Sequence, residues 1–170
     1  ENQDNFDIYV KLVGPGKLIR LTSDPREDRG PAWSPDGLWI AFTRHFESGK
    51  AQVIVIPALG GPERVLCETA GLVRDEGIEF SSLTWSPDGK WVAGSNLGTA
   101  PEPGLAAVSV ETGERRRLTD TGTDFGPAFS PDGRSLAFIR AASVGVSEVY
   151  LLSLSGSAAP QGQPKRLSYE

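Results

Sequence analysis

The 170-residue chain carries 22 acidic and 17 basic side chains, and 38% of its residues are hydrophobic. This length and apolar content predict a folded domain with a core, and the net charge of -5 disfavours the electrostatic attraction that nucleic acid or anionic lipid needs. The single cysteine, Cys67, excludes a disulfide framework and a thiolate metal cluster. No apolar run is long enough to span a bilayer, so we expect no membrane insertion. The chain lacks methionine even at position 1, and we interpret it as part of a longer protein.

The first predicted elements are a strand at residues 7–10 and a strand that ends in an Arg-Leu-Thr phrase, joined by the Gly-Pro-Gly turn at 14–16. The phrase and its variants occupy residues 20–22, 64–66, 117–119 and 166–168. Each copy stands at the end of a segment whose residue pattern predicts a strand. The phrase therefore indicates the last strand of a repeated unit.

A second phrase alternates with the first. Residues 31–42 read PAWSPDGLWIAF, and close variants occupy 83–94 and 127–138. At its centre is a Ser-Pro-Asp-Gly tetrad, formed by Ser34, Pro35, Asp36 and Gly37, by Ser86, Pro87, Asp88 and Gly89, and by Ser130, Pro131, Asp132 and Gly133. Proline presets the second turn position and glycine takes a positive φ at its close. Each tetrad therefore predicts a tight turn between two strands.

The spacing of the tetrads predicts the architecture. They begin 52 and 44 residues apart, and the intervals hold short strand patterns with no convincing helical period. Four antiparallel strands in a repeat of this length are typical of propeller blades. We expect an all-β partial β-propeller of about 3.5 blades: a half blade at 7–22 and blades at about 31–67, 83–119 and 127–168. Such a segment leaves open blade faces, which predicts association with more of the parent protein or a homodimer.

The tryptophans recur in phase with the tetrads. Trp33 and Trp85 directly precede a tetrad serine, and we expect them to pack between blades. Trp39 and Trp91 lie two positions beyond the turn, where partial exposure is expected. A carbohydrate-stacking platform is the less favoured interpretation of the four rings.

With these phrases in place, the chain resembles TolB-type propellers over nearly its whole length. Residues 5–12, NFDIYVKL, and 56–64, IPALGGPER, are most similar to the presumed sensor propellers of bacterial winged-helix transcription regulators and Ser/Thr kinases. The resemblance implies a non-catalytic platform and favours an extracytoplasmic, periplasmic location in a larger bacterial protein. Related repeats also form the gating propellers of prolyl-oligopeptidase-like peptidases. No winged helix, kinase or peptidase domain is present in these residues.

Motifs typical of catalytic, metal-binding or phosphate-binding sites are not found in the sequence. It has no Gly-x-Ser-x-Gly pentad, and its only histidine, His45, lies in a loop pattern, where a solvated side chain is expected. One histidine and one cysteine do not make a zinc site, and no glycine-rich phosphate loop occurs. We therefore predict no catalytic, cofactor or metal site. The run Glu114-Arg115-Arg116-Arg117 is interpreted as a solvated outer edge, so direct nucleic-acid binding is not expected.

An acid precedes each tetrad serine by six or seven residues: Asp28, Glu79 and Asp124. In a propeller this loop leads from the outer strand of one blade to the inner strand of the next. The three carboxylates would then line the channel rim and attract cations or a basic peptide. The alternative is that they bond to backbone amides at the blade junctions or solvate the loop.

The leading functional hypothesis is a ligand-sensing or protein-protein interaction module without catalytic activity. The first alternative is the gating propeller of a serine peptidase whose catalytic domain lies outside this chain. A purely structural scaffold is the third. The identity of the protein partner or small ligand is not predicted.

Overall fold

The computed structural model describes residues 5–69, 82–97, 104–143, 145–156 and 158–167. Over these ranges the chain contains strands and turns and no helix, and the strands form one two-stranded and three four-stranded antiparallel sheets. No helix of the described residues could therefore cross a membrane. The prediction of an all-β partial propeller of about three and a half blades is confirmed.

The strands follow one another as meanders in chain order. The first sheet consists of β1 (Tyr9–Val10) and β2 (Ile19–Arg20). The second consists of β3 (Glu27–Trp33), β4 (Trp39–His45), β5 (Ala51–Pro57) and β6 (Arg64–Thr69). The third consists of β7 (Thr84–Trp85), β8 (Trp91–Ser95), β9 (Leu105–Ser109) and β10 (Arg115–Arg117). The fourth consists of β11 (Asp124–Phe129), β12 (Ser135–Ser143), β13 (Val146–Ser155) and β14 (Ala159–Arg166).

The two faces of each strand build two different blade interfaces. On β4, Ile40 and Phe42 join the buried cluster shared with the first sheet, whereas Ala41 joins the cluster shared with the third sheet. On β8, Trp91 and Ala93 face the fourth sheet, whereas Val92 between them joins the cluster shared with the second sheet. Successive strand side chains point to opposite faces, so a single register sets both interfaces. Each large side chain buried this way contributes roughly 1.5–3 kcal/mol of hydrophobic stabilisation.

The Arg-Leu-Thr phrase closes the outer edge of a sheet by hydrogen bonds. The hydroxyl of Thr22 accepts the amide of Ile8 at 3.0 Å, and that of Thr119 accepts the amide of Leu105 at 2.9 Å. The preceding arginine, two residues back in each copy, donates from Nε to the threonine carbonyl. The second sheet differs, because β6 continues beyond residues 64–66 to Thr69.

Two of the four tryptophans contradict the expected burial. Trp85 is buried as predicted, but Trp33 is 53% exposed and the prediction of inter-blade packing is wrong for it. In the part of the chain that the structure describes, the sheet before Trp33 consists of β1 and β2, which correspond to the two outer strands of a blade, and no inner strand covers the Trp33 ring. Trp91 is buried between the third and fourth sheets, where partial exposure was expected, whereas Trp39 is half-buried.

Candidate functional site

Each of the three tetrads forms a turn with the same hydrogen bonds. In the first, the Ser34 hydroxyl donates to Asp36 Oδ1 at 2.5 Å and accepts the Trp39 amide at 2.9 Å, while Asp36 Oδ1 also accepts the Leu38 amide. The copies that begin at Ser86 and Ser130 repeat these bonds. The closing glycines have φ values of 72°, 69° and 68°.

These contacts assign the tetrad side chains to the turn. The serine hydroxyl and then the backbone amide of Leu38 hold the pKa of Asp36 below its usual value. The Ser130 hydroxyl and the amide of Arg134 lower the pKa of Asp132 in the same way. A carboxylate stabilised as a fixed acceptor is poorly suited to proton transfer near neutral pH.

Asp28 lies at the start of β3, and its carboxylate is enclosed by an arginine that the sequence reasoning did not single out. Arg44 Nε and Nη2 donate to the two oxygens of Asp28 at 2.7 and 2.8 Å. Arg44 also contacts Glu63 at 2.7 Å and Asp24 at 3.3 Å. Burial alone would lower the pKa of Arg44, but the hydrogen bonds to Asp28 and Glu63 outweigh it and raise that pKa.

Asp124 repeats this arrangement at the start of β11. Arg140 Nε and Nη2 donate to its oxygens at 2.6 and 2.9 Å, and the bond to Asp124 raises the pKa of the guanidinium. The Arg140 guanidinium also lies 4.6 Å from the ring centroid of Tyr150. Both aspartate side chains have no exposed surface. Each is therefore held by an arginine, and the prediction that they bind a cation or basic peptide stays a prediction.

A sequence signal for these pairs exists. Arg44 and Arg140 each lie ten residues after the tetrad serine, and Asp28 and Asp124 lie six residues before it. The two positions face each other across the inner hairpin, where Asp28 pairs with Arg44 and Asp124 pairs with Arg140 in the strand register. The fixed spacing of opposite charges was the available clue.

The third sheet departs from this pattern. Asn96 stands where the other two sheets carry arginine, with a φ of 56°. Gly94 stands where they carry Phe42 and Phe138, and Leu97 is buried beside it. The third predicted rim acid, Glu79, lies outside the described residues. The structure therefore describes two of the three predicted rim acids.

The remaining candidate side chains take part in intramolecular contacts. His45 is the last residue of β4 and half-buried, with Nε2 3.1 Å from the Thr43 hydroxyl, so the expectation of a solvated loop side chain is wrong. Cys67 is buried, which raises the pKa of its thiol. Arg116 stacks over Trp91, and Arg117 donates to the Thr119 carbonyl, so the basic run is partly bound to its own sheet. Among the described residues, no three His, Cys, Asp or Glu side chains are grouped to hold a metal.

A cavity of about 300 Å³ lies between the third and fourth sheets, at the end that carries the tetrads. Its walls include Trp91, Phe129 and Ala158, with Asp88 and Asp132 among the polar residues. The oxygens Oδ1 of both aspartates already accept a serine hydroxyl and a backbone amide. Both aspartates at the cavity are therefore already hydrogen-bonded within their own turns.

Known proteins are similar to this chain in sequence and in fold. The chain is 28% identical over 174 residues to the uncharacterized peptidase YuxL of Bacillus subtilis, covering 81% of this chain and 26% of that protein. TolB from Acinetobacter baumannii has a similar fold, with a TM-score of 0.65 and 22% identity over 91% of this chain and 35% of its own.

A prolyl endopeptidase structure is similar as well, with a TM-score of 0.64 and 19% identity over 96% of this chain and 26% of its own. The chain thus spans about a quarter to a third of these proteins. A family model described as the TolB beta propeller domain matches residues 1–165. The chain belongs to the TolB beta propeller domain family.

Proposed function

We propose that this chain is a non-catalytic binding module through which a larger bacterial protein senses a ligand or contacts a protein partner. The observation that supports this proposal is that the recurring polar side chains make hydrogen bonds or ion pairs within their own sheets. The tetrad serines and aspartates hold turns, the phrase threonines hold outer strands, and Asp28 and Asp124 hold arginines. Binding is therefore assigned to surface side chains other than these.

Within this proposal, the parent protein is a regulator or kinase with an extracytoplasmic sensor. The resemblance of residues 5–12 and 56–64 to sensor propellers supports the assignment, as does membership of the TolB family. The gating propeller of a prolyl-oligopeptidase-like peptidase is the second candidate. It is favoured by the similarity to the YuxL peptidase and to the prolyl endopeptidase fold.

A labelling experiment separates the two candidates. The native polypeptide that contains this segment is exposed to a fluorophosphonate probe, which modifies activated serine nucleophiles, and is then analysed by mass spectrometry. The sensor assignment expects no labelled serine anywhere in the polypeptide, and the non-catalytic proposal expects none within residues 1–170. A serine labelled outside residues 1–170 would overturn the sensor assignment in favour of the peptidase gate, and a labelled serine within them would overturn the non-catalytic proposal itself.

The open face of the fourth sheet supports association with another blade. Ala137 occupies the repeat position of Ala41 and Ala93, which neighbouring sheets cover completely, yet Ala137 is only half-buried. Val149, on the next strand, is exposed. We propose that this face pairs with a partner or a second copy, and light scattering of the chain in solution tests whether a dimer forms.

A further inference from the structure

Five exposed apolar residues lie in the three turns at one end of the first two sheets, the end that carries the tetrad turn. They are defined here as the apolar corner: Leu12, Val13, Leu18, Leu38 and Leu59. Each residue is at least 63% exposed. Monomeric proteins rarely leave contiguous apolar patches of more than a few hundred Å² in water without a function.

Buried contacts set the three turns of this corner side by side. Val10, at the end of β1, and Ala58, just beyond β5, belong to one buried cluster. This cluster packs the first sheet against the second, with the hairpin at 11–18 and the turn at 57–63 at the same end. The Ala58 amide donates to the Leu38 carbonyl at 2.9 Å, which adds the tetrad turn to the group.

The fold itself does not require leucines at this corner. In the third sheet, the residue equivalent to Leu38 is Lys90, whose carbonyl accepts the Val110 amide. In the fourth sheet it is Arg134, whose carbonyl accepts the Leu154 amide. The residue after the donor is Leu59 in the second sheet, but Glu111 in the third and Ser155 in the fourth. Equivalent turns therefore form with polar side chains, and the exposed leucines are specific to the leading corner.

The charge around the corner indicates the chemistry of what covers it. Lys11 and Lys17 flank the hairpin tip, and no acid occurs between residues 8 and 23. Arg20 is paired with Asp7, but no ion pair involves either lysine in the part of the chain that the structure describes. The corner thus contains both exposed apolar side chains and two positive charges, those of Lys11 and Lys17, in a chain whose net charge is -5.

Two other occupants fit these charges less well. A second copy docked by a two-fold axis would place the lysines of both copies, Lys11 and Lys17, in one interface without added negative charge. An anionic bilayer would meet Asp36, which is exposed two residues before Leu38 and whose serine-bonded carboxylate stays ionised. A protein segment can instead place its carboxylates at the lysines alone.

We propose that the apolar corner is a docking surface for a protein segment that combines apolar side chains with carboxylates. This inference rests on the proposed function as an interaction module and names the surface that performs it. The apolar residues supply the buried area, and Lys11 and Lys17 select acidic over basic segments.

The test uses two fluorescein-labelled model peptides of equal length, one of alternating Leu and Glu and one of alternating Leu and Lys. Fluorescence anisotropy with the full chain is expected to show at least tenfold tighter binding of the Leu/Glu peptide. The triple variant Leu12→Ser, Val13→Ser, Leu59→Ser should weaken that binding at least tenfold. The matched control Val146→Ser, an exposed apolar residue at a different turn, should leave it within twofold.

A charge-reversed variant keeps the inference falsifiable if the triple variant folds poorly. Lys11→Glu with Lys17→Glu should invert the preference between the two peptides. Equal binding of both peptides, or a preference that survives this reversal, would refute the proposal. Selective loss of binding to anionic lipid vesicles, or of a dimer in light scattering, in the triple variant without any peptide preference would assign the corner to a membrane or to a second copy. The fluorophosphonate outcome is independent of these measurements, so failure of the docking surface and failure of the proposed function are distinguishable.

Discussion

The indole Nε1 of Trp85 donates a 3.0 Å hydrogen bond to the carbonyl of Ala32 in the preceding sheet. This bond ties two blades together through the residue that directly precedes a tetrad serine. The corresponding residue of the next blade is Phe129, which has no N–H to donate, and the cavity of about 300 Å³ lies beside it. The carbonyl equivalent to that of Ala32 belongs to Thr84. Phe129 therefore cannot make the hydrogen bond by which Trp85 links the second and third sheets.

Phe129→Trp is expected to stabilise the fold by about 1 kcal/mol, because the larger ring fills cavity space and its N–H can reach the Thr84 carbonyl. Urea unfolding followed by tryptophan fluorescence measures the change. Phe129→Leu, the control, should enlarge the cavity and destabilise the fold by about 1 kcal/mol. A destabilised tryptophan variant would show that the ring overpacks the interface instead.

The turns and most strands could be predicted because their signals are local. Ser34 and Asp36 lie two residues apart, so the composition of the tetrad specifies its hydrogen bonds. Trp33 was predicted wrongly because its burial depends on strands that precede it, which its own phrase does not encode. The pair of Asp28 with Arg44 was missed because its members lie 16 residues apart and meet only through the register of β3 and β4. Local chemistry was predictable, and contacts set by register were not.

Arg44 is expected to be essential for stability, because its buried guanidinium balances the negative charge of several carboxylates. Arg44→Met should cost about 3–5 kcal/mol, because Asp28 would remain buried without a counter-charge. Asp28→Asn should cost less, about 2 kcal/mol, because Arg44 keeps its contacts to Glu63 and Asp24.

The double variant of Asp28 and Arg44 should be at least about 1 kcal/mol more stable than the sum of the single changes predicts. Chemical denaturation of all four proteins completes the cycle. Arg166→Met removes an exposed ion pair with Glu148 and serves as the control, with an expected cost below about 1 kcal/mol. Additive effects at Asp28 and Arg44 would contradict direct coupling of the two side chains.

Gly94 is expected to accept a methyl group only when two leucine side chains shift. A Cβ built there would lie 2.8 Å from Leu83 Cδ2 and 3.3 Å from Leu97 Cδ1. Gly94→Ala should therefore destabilise the fold by about 1 kcal/mol in thermal unfolding, through overpacking. Gly16→Ala is the matched control, because no atom lies within 4 Å of its Cβ position, and it should change stability by less than about 1 kcal/mol. A neutral Gly94→Ala would mean that the two leucines move apart without cost.

Asp24 is expected to make stability depend on acid pH. The hydrogen bonds from Arg26 hold the pKa of Asp24 at about 2, below the ordinary value of 3.8. Because the folded state favours the carboxylate, its contribution is fully present above about pH 4 and disappears as the pH falls towards 2. Solvent screening limits the contribution to about 1 kcal/mol. Denaturation of wild type and Asp24→Asn from pH 6 to pH 2 should therefore show a stability difference that shrinks below about pH 4. Arg26→Gln should remove the larger part of this pH dependence, while the amide of residue 26 and Arg44 keep their contacts to the carboxylate. A difference between wild type and Asp24→Asn that stays constant over the whole range would show that the Asp24–Arg26 pair does not favour the ionised carboxylate in the folded protein.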